Sequence, residues 1–562
     1  MTGPHTDGSL DAFFDALVHL RPVDATFIGI HDQDHRLPDW SPAGHQALAQ
    51  RWRAVGEALG ATHDLETAVR AGDWATIDRA VAHSHVDVTL AELASRHFTR
   101  GNPSLAVGEA AFSVIGLITR EFAPAAQRAS YLLPRLRAIP RFLAGAMASI
   151  ADGPVPSAWV DRALRETRAL ERLLTEGLPI WCREMALADD RSQALVDAAQ
   201  GAAGAVHGAT EALNNLKRDA VDARPAGEEL LTTCIRSGHW MERSIDDLLQ
   251  EARDALREHQ ALLAERVREA QAGSLAEVLA RLAAAHPSVA DYYGAFQRCW
   301  DACRATSDAH GLVTWPDAPI RYVAIPEWTR MAAPSLYYLF YRSPAPFDTY
   351  PVYDYVVTPI EGLDDVAAAR HLAAWNNATI KLNHVVHHGA LGHHVQNWYA
   401  YRAPSRVARI AAADCASRIA MLQGGTMAEG WACYATDLME EVGFLTPDER
   451  VSEQHTRVRM LARAIVDLEF HTERRSFADA ITLYVDEVGM TPEMARAEAT
   501  KNSMFPGTAM MYWFGTQGVH TLRRLVAARE GAAFSLRDFH DRFLAHGALP
   551  VALISRLMTA ER

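Results

Sequence analysis

The chain has 562 residues, of which 49% are hydrophobic and 22% are charged, and its net charge at pH 7 is −14. This length exceeds what one ordinary hydrophobic core organises, so at least two subdomains are expected, with the composition of a soluble globular protein. The acidic balance argues against a nucleic-acid backbone or an anionic membrane surface as the partner.

The cysteines and the apolar segments predict the cellular setting. The six cysteines are scattered and form no Cys-x-x-Cys pair, which predicts reduced thiols in a cytoplasmic protein. The residues that follow Met1 lack a charged region leading into an apolar run, so no secretory signal is expected. No apolar stretch reaches ~20 residues, so no membrane-spanning helix is expected.

The first half of the chain is predicted to be helical. It is rich in Ala, Leu, Glu and Arg, and its apolar residues recur at three- and four-residue spacing. Breaks at Pro154 and Pro225 separate the helical segments. These segments are 157–187, 192–220 and 228–272. We predict that residues 1–290 form a helical scaffold in which the run 245–272 is the arm of a helical hairpin.

The pattern changes between residues 312 and 359. Aromatic and β-branched runs, separated by prolines and polar turns, predict short strands of a small antiparallel sheet. The runs begin at Arg321, Ser335 and Tyr350. Pro351 indicates an edge strand, because proline cannot donate to a neighbouring strand. Helical patterns return from Leu363 onward, so the second half is also mainly helical.

A histidine-rich run is the strongest chemical signal in the chain. Five histidines lie within eleven residues, and imidazole is the commonest metal-binding side chain. They are His384, His387, His388, His393 and His394. On a straight helix His384 and His388 share a face, whereas a bulge at Gly389 and Gly392 would bring His387 and His393 together. Both pairings stay open at this point, as does a structural role for individual histidines.

Further candidates follow the histidine run. Glu429 begins a helical pattern and is suited to complete a metal site of two histidines and one glutamate. Asp467 precedes His471 by one helical turn, a spacing at which a carboxylate can orient an imidazole. Tyr512 lies in an aromatic segment and could donate a hydrogen bond to a developing oxyanion. Each of these residues also fits an ordinary structural role.

These motifs together resemble a bacterial family known as domain of unknown function 885, which is similar to the helical zinc carboxypeptidases. The family patterns include His-Glu-Gly-x-Pro-Gly-His-His-x-Gln and Glu-Gly-Trp-Ala-x-Tyr-Ala. The matching segments, in chain order, are 22–41, 387–396, 429–435, 467–471, 506–515 and 539–550. The resemblance therefore extends over nearly the whole chain, with the middle helices most diverged.

The resemblance implies a mainly helical, zincin-like peptidase fold with the small sheet beside a deep central cleft. It implies a zinc site made by His387, His393 and Glu429, within a catalytic subdomain of residues 291–562. The neighbouring catalytic candidates that it implies are His394, Asp467, His471 and Tyr512.

One departure from the family pattern changes the expected chemistry. His388 stands where the family has the glutamate that serves zinc peptidases as general base. The other departures are Leu391 for proline, Thr436 for glutamate and Thr508 for glutamine. A neutral imidazole can accept a proton, but it lacks the negative charge of a carboxylate and can itself bind the metal. Ordinary peptide hydrolysis is therefore not expected.

Three functions stay open on the sequence. The first is a metal-dependent enzyme of altered chemistry, acting on a small molecule or a short peptide-like substrate; lyase or redox chemistry in a biosynthetic pathway would fit. Its cofactor would be one divalent metal, either zinc or, as alternatives, iron, manganese or copper, with His384 or His388 as an added ligand or His388 as base. The second is a zinc-dependent peptide or amide hydrolase with His388 as base. The third is a catalytically inactive protein that binds ligands in the cleft.

Overall fold

The fold is mainly helical, as the sequence pattern predicts. A computed structural model describes residues 8–60, 65–218, 221–330, 341–342, 345–348, 353–413 and 423–560. Within these ranges, no helix is both long and apolar enough to cross a membrane. The predicted cytoplasmic location stays a prediction.

The helices that precede the sheet follow one another with short connections. They are Gly8–Leu20, Pro22–Ile28, Pro42–Leu59, Leu65–Ala71, Trp74–Ala94, Pro103–Thr119, Ala125–Ile150, Ser157–Arg172, the π-helix Leu173–Gly177, Leu178–Glu184, Asp189–Arg218, Glu228–Thr233, the π-helix Cys234–Gly238, Ile245–Glu269, Leu275–Ala284, the 3-10 turn Val289–Asp291 and Tyr292–Ala309.

Helices also dominate the remainder of the described chain. They are Glu327–Arg330, Asp365–Ala374, Asn377–Thr379, the π-helix Ile380–Gly389, His393–Ala400, Arg406–Ala411, Gly425–Glu441, Pro447–His471, Phe477–Val488, Pro492–Met504, Met510–Glu530, the 3-10 turn Gly531–Ala533, Leu536–Ala545 and Val551–Ala560. Four of them position the candidate site. We call Ile380–Gly389 the histidine helix, Gly425–Glu441 the glutamate helix, Pro447–His471 the arginine helix and Met510–Glu530 the tyrosine helix.

Side-chain caps set where many of these helices begin. Ser41, Asp73 and Ser274 each accept a hydrogen bond from a backbone N–H in the first turn of the helix that follows. Thr446 and Glu449 form a reciprocal capping box at the start of the arginine helix. Such caps satisfy backbone donors that the helix itself leaves unbonded.

The predicted helical segment 228–272 is interrupted. Its helical parts are Glu228–Thr233, Cys234–Gly238 and Ile245–Glu269. Trp240 has a φ of 58°, a left-handed conformation that a continuing helix excludes. Ser244 then accepts a hydrogen bond from the backbone N–H of Asp247 and starts the next helix. The predicted hairpin arm packs mainly along the arginine helix.

A small three-stranded sheet precedes the histidine helix. Its strands are β1 (Arg321–Ala324), β2 (Tyr341–Arg342) and β3 (Asp354–Val357), in the order β1-β3-β2. β1 runs parallel to β3, and β2 runs antiparallel to it. The prediction of an antiparallel sheet is therefore wrong for the longer pair, because the chain crosses back through β2 before β3 begins. Among the described strands β3 is central, while Pro351 and most of the predicted run at Ser335 lie outside the described residues.

The hydrophobic core joins the two halves of the chain. One cluster packs Phe13 and Trp52 together with Trp431 and Phe543, and another packs Leu248 against the arginine and tyrosine helices. A third cluster belongs mostly to the helices between residues 103 and 216. The predicted domain boundary at residue 290 stays a prediction.

Candidate metal centre

The winding of the histidine helix decides where its side chains lie. The helix is a π-helix, a form that is rare in proteins and frequent at functional sites. Beyond its end, the backbone N–H of Gly392 donates to the carbonyl of Val386 at 2.8 Å. A Cβ atom on Gly392 would lie 1.9 Å from the carbonyl oxygen of His387, so only glycine fits this turn. The turn folds His393 back beside His387.

Three imidazoles and one carboxylate meet at this point. His387, His388 and His393 each offer one nitrogen, and these nitrogens lie within 4.8 Å of one another. Nε2 of His387 lies 3.3 Å from Oε2 of Glu429, and Nε2 of His393 lies 3.8 Å from the same oxygen. Of the two pairings that the sequence allows, the fold brings together His387 and His393 and adds His388.

These separations fit the ligand shell of a metal ion. Two ligands of a tetrahedral ion at about 2.1 Å lie roughly 3.4 Å from each other. The distances of 3.3 and 3.8 Å from Glu429 to the two imidazoles are close to that separation. Imidazole nitrogen and carboxylate oxygen are donors that suit zinc, iron and manganese. The residues of this chain therefore fit one divalent ion.

A backbone contact sets the tautomer of His388. Its Nδ1 lies 2.6 Å from the carbonyl oxygen of Asn383, and since a carbonyl only accepts, Nδ1 carries the proton. Burial, followed by the charges of His387 and His393, lowers the pKa of His388 well below its ordinary value. The ring is therefore neutral, and its Nε2 keeps a lone pair that can bind a metal or accept a proton.

Glu429 carries the negative charge of the group. Burial raises its pKa, but the hydrogen bond with His387 and the charges of His393 and His387 outweigh burial and hold the pKa below the ordinary range. Burial lowers the pKa of His387, whereas its contacts with Cys433 and Glu429 raise that pKa to about 10. Cys433 is not among the site residues predicted from the sequence, although it follows Glu429 by one helical turn and so shares its face.

Two motif glycines set the distance between the glutamate helix and the tyrosine helix. A Cβ atom on Gly430 would lie 2.5 Å from the carbonyl carbon of Gly515, and one on Gly515 would lie 2.4 Å from the carbonyl oxygen of Thr426. The two backbones are therefore in direct contact next to Glu429. This contact explains why both motifs contain glycine and how they position the carboxylate.

Two tryptophans hold the turn between the metal-ligand candidates. Nε1 of Trp431 donates to the carbonyl of Leu391 at 2.9 Å, and Nε1 of Trp300 donates to the carbonyl of Gly389 at 2.9 Å. Trp431 directly follows the glycine contact on the glutamate helix. The position of Glu429 and the position of the turn are thereby linked by a buried hydrogen bond.

His384 and His394 lie outside the imidazole group. Nδ1 of His384 is 2.7 Å from the hydroxyl of Tyr355, and its ring stacks on Trp375 with centroids 4.1 Å apart. Nε2 of His394 donates to the carbonyl of Ala318 at 2.6 Å. Burial lowers the pKa of His384 to about 3 and that of His394 to about 4, so both rings are neutral. The pairing of His384 with His388 is not formed, because stacking holds His384 elsewhere.

Asp467 and His471 are fully buried beside the site. Asp467 accepts hydrogen bonds at 3.1 and 3.0 Å from two backbone N–H groups of the turn that precedes the tyrosine helix. His471 accepts from the backbone N–H of Ala226 at 3.0 Å and donates to the carbonyl of Asn502 at 2.9 Å. Neither residue, nor His394, is among the described residues that line the cavity next to the imidazoles. Asp467 positions the helix that carries Tyr512.

The imidazole group opens into a cavity of about 610 Å³. This volume is in the range of small-molecule sites. Tyr512 lines the cavity, together with three cations that the sequence did not predict as site residues. These cations are Arg459, Arg463 and Lys501. The four-residue spacing of Arg459 and Arg463 places both on one helical face and is visible in the sequence. The sequence does not show that this face lines the cavity.

The chain matches one protein family in sequence and resembles solved structures in fold. The family model described as "Bacterial protein of unknown function (DUF885)" matches residues 22–558. A structure described as "a putative lipoprotein of unknown function" from Shewanella oneidensis is 20% identical, with a TM-score of 0.76 over 98% of this chain and 99% of that chain. A second, "the putative lipoprotein from Colwellia psychrerythraea", is 18% identical, with a TM-score of 0.76 over 98% of each chain. No curated protein matches the chain.

Proposed function

This chain belongs to the bacterial family DUF885, and we propose that it is a metal-dependent enzyme with an altered, peptidase-like active site. Its substrate is a small molecule or a short peptide-like compound, and its reaction differs from ordinary peptide hydrolysis. The zincin-like ancestry that the motifs imply is part of this proposal. The observation that carries it is the convergence of three imidazole nitrogens beside the Glu429 carboxylate, with His388 inside the group.

The proposed ligands are His387, His393 and Glu429, with His388 as an added ligand. Geometry favours this role for His388, because its nitrogen lies within 4.8 Å of the nitrogens of the other two histidines. Zinc is the expected ion, with iron, manganese or copper as alternatives for such a mixed donor set. When bound, the ion supplies Lewis-acid chemistry toward an oxygen of the substrate.

The surrounding residues have supporting roles in this proposal. Tyr512 lines the cavity and donates a hydrogen bond from its hydroxyl to negative charge that develops on the substrate. His394, His471 and Asp467 are positioning residues, since each is buried and bonded to backbone groups.

The proposal is tested by the metal content of the full chain purified without added metal or chelator. About one equivalent is expected in the wild-type protein and much less in His393→Ala. His207→Ala is the matched control, because the side chain of His207 is 68% exposed on a distant helix. Absence of metal from the wild-type protein, even after reconstitution with zinc, iron and manganese, would refute the enzyme and leave the alternative of a cleft-binding protein.

A second candidate function is peptide or amide hydrolysis with His388 as general base. It is favoured by the lone pair on Nε2 of His388, which the Nδ1 contact with Asn383 preserves. The two functions are separated by assaying wild-type and His388→Glu proteins on a panel of peptides and arylamides. Our first proposal expects no turnover by the wild type and measurable turnover by His388→Glu. Wild-type turnover that is lost in His388→Glu supports the second candidate instead.

A further inference from the structure

The cavity that contains the imidazole group also has a cationic wall. Arg459 and Arg463 project from the arginine helix one turn apart, and Lys501 comes from the helix Pro492–Met504. Tyr512 lies between these cations, with its ring 5.3 Å from the guanidinium of Arg463 and 5.9 Å from the ammonium of Lys501. Positive charge is therefore concentrated next to the proposed metal site.

The acids around this wall are already engaged by other groups. Glu498 accepts two hydrogen bonds from Arg463, at 2.7 and 2.6 Å, and so neutralises that arginine. Glu453, which lines the cavity, lies 2.9 Å from the guanidinium of Arg457 and accepts a hydrogen bond from Thr436 at 2.9 Å. Within the described residues, neither of these acids forms an ion pair with the remaining two cations of the wall.

Arg459 and Lys501 are those two cations. Within the ranges that the structure describes, Arg459 has neither a hydrogen bond nor an ion pair, and its Nε is buried. Lys501 has the ring of Tyr512 as its neighbour but no hydrogen bond or ion pair in the same ranges. Burial, followed by the charge of Arg463, lowers the pKa of Lys501 to about 8, so the ammonium is still largely protonated at neutral pH. Withdrawing a charge from water without an ion-pair partner is costly, and an anionic ligand would offset that cost.

We propose that Arg459 and Lys501 bind a carboxylate group of the substrate. The substrate class is then a small organic acid or a peptide-like acid whose reacting group faces the imidazole group while its carboxylate meets the cations. This inference rests on the proposed function and narrows it. The planar guanidinium of Arg459 matches the two oxygens of a carboxylate, and Lys501 adds a compact charge. The negative charge of Glu429 acts on Lys501 and would also repel a bound anion. Because a phosphate dianion would be repelled more strongly, the site favours a monoanion.

The test uses calorimetric titration of the full chain, purified with its metal, with benzoate, benzamide and inorganic phosphate as probes. We expect benzoate to bind more tightly than benzamide. Arg459→Met and Lys501→Met should each weaken benzoate binding roughly tenfold or more and leave benzamide unchanged. Arg459→Lys should weaken it less than Arg459→Met. Arg524→Met, at an exposed position of the tyrosine helix, is the control and should bind benzoate as the wild type does.

A second measurement guards against misfolded variants. Because Arg459 is half-buried, with a buried Nε, and forms no hydrogen bond or ion pair within the described residues, Arg459→Met should melt at the wild-type temperature or above it when no ligand is present. A lower melting temperature would overturn the inference, since it would mean that Arg459 makes stabilising contacts inside the fold.

Other outcomes separate this inference from the proposed function. Benzoate affinity that is unchanged in both Arg459→Met and Lys501→Met, or stronger binding of phosphate than of benzoate, overturns the carboxylate site. Benzoate binding that disappears only in His393→Ala also overturns it, because the probe would then bind at the metal. If His393→Ala and the wild type both lack metal yet bind benzoate through Arg459, the carboxylate site stands and the proposed function fails.

Discussion

The contact between the glutamate helix and the tyrosine helix allows a sharp test of how the site is built. In Gly430→Ala the new Cβ atom would lie 2.5 Å from the carbonyl carbon of Gly515, whereas ordinary contacts begin near 3.4 Å. The obstructing atoms belong to a backbone, so no side-chain rotation relieves the clash. The two helices must therefore move apart by about 0.9 Å next to Glu429.

The expected energies follow from this displacement. Overpacking of a tight contact costs about 1–3 kcal/mol, and the gain in helix propensity from glycine to alanine returns up to about 1 kcal/mol. We expect Gly430→Ala to lose about 1–2 kcal/mol of stability. A displacement of Glu429 on this scale also exceeds what a metal–oxygen bond of about 2.1 Å tolerates, so metal affinity should fall at least tenfold.

The assay compares melting temperatures at one scan rate and metal content after dialysis. Gly204→Ala is the matched control, because Gly204 is an exposed helical glycine whose added Cβ atom meets nothing within 4 Å. That variant should gain about 0.5–1 kcal/mol and keep its metal. If Gly430→Ala melts as high as Gly204→Ala and keeps its metal, the argument from helix contact is refuted.

Three further predictions concern the same region. Trp431→Phe removes the hydrogen bond to the turn before His393, at a cost of about 1 kcal/mol, and should weaken metal binding roughly tenfold; unchanged binding would contradict a positioning role. A chelator should lower the melting temperature of the wild type but not that of His393→Ala, since a ligand stabilises only the chain that binds it; equal shifts would contradict metal binding at this site. Burial raises the pKa of Asp467 from 3.8 to about 7, so the folded chain keeps this proton to higher pH than the unfolded chain. Its contribution to stability is full below about pH 4 and declines as the pH rises through 7, so Asp467→Asn should flatten the pH profile of the melting temperature; a profile of unchanged slope would contradict the shift.

The motifs indicated most of the proposed ligands before any fold was known. His387, His393 and Glu429 follow from the spacing of the histidine run and from the resemblance to the family. The replacement of a glutamate by His388 is equally visible, because it is a change of residue type. The π-helical winding is not visible, and it is this winding that separates His384 from the group and brings in His388.

The small sheet shows that the sequence can predict a strand without predicting its pairing. The aromatic and β-branched run at Arg321 predicted a strand, and β1 begins there. The direction of pairing depends on how the chain returns after β1, and local residue preferences contain no information about that path. The parallel pairing of β1 with β3 was therefore decided by the crossover rather than by the residues of either strand.

By itself the sequence determined the helical class, the family, the motif glycines and the set of residues that can bind a metal. These depend on residue type and on spacing along one helix, which are local properties. Only the tertiary structure decided that Glu429 meets His387 across a contact between two glycines, and that Arg459 and Lys501 form no ion pair within the described residues. Those facts depend on distances between segments far apart in the chain, and such distances are set by how whole helices pack against one another.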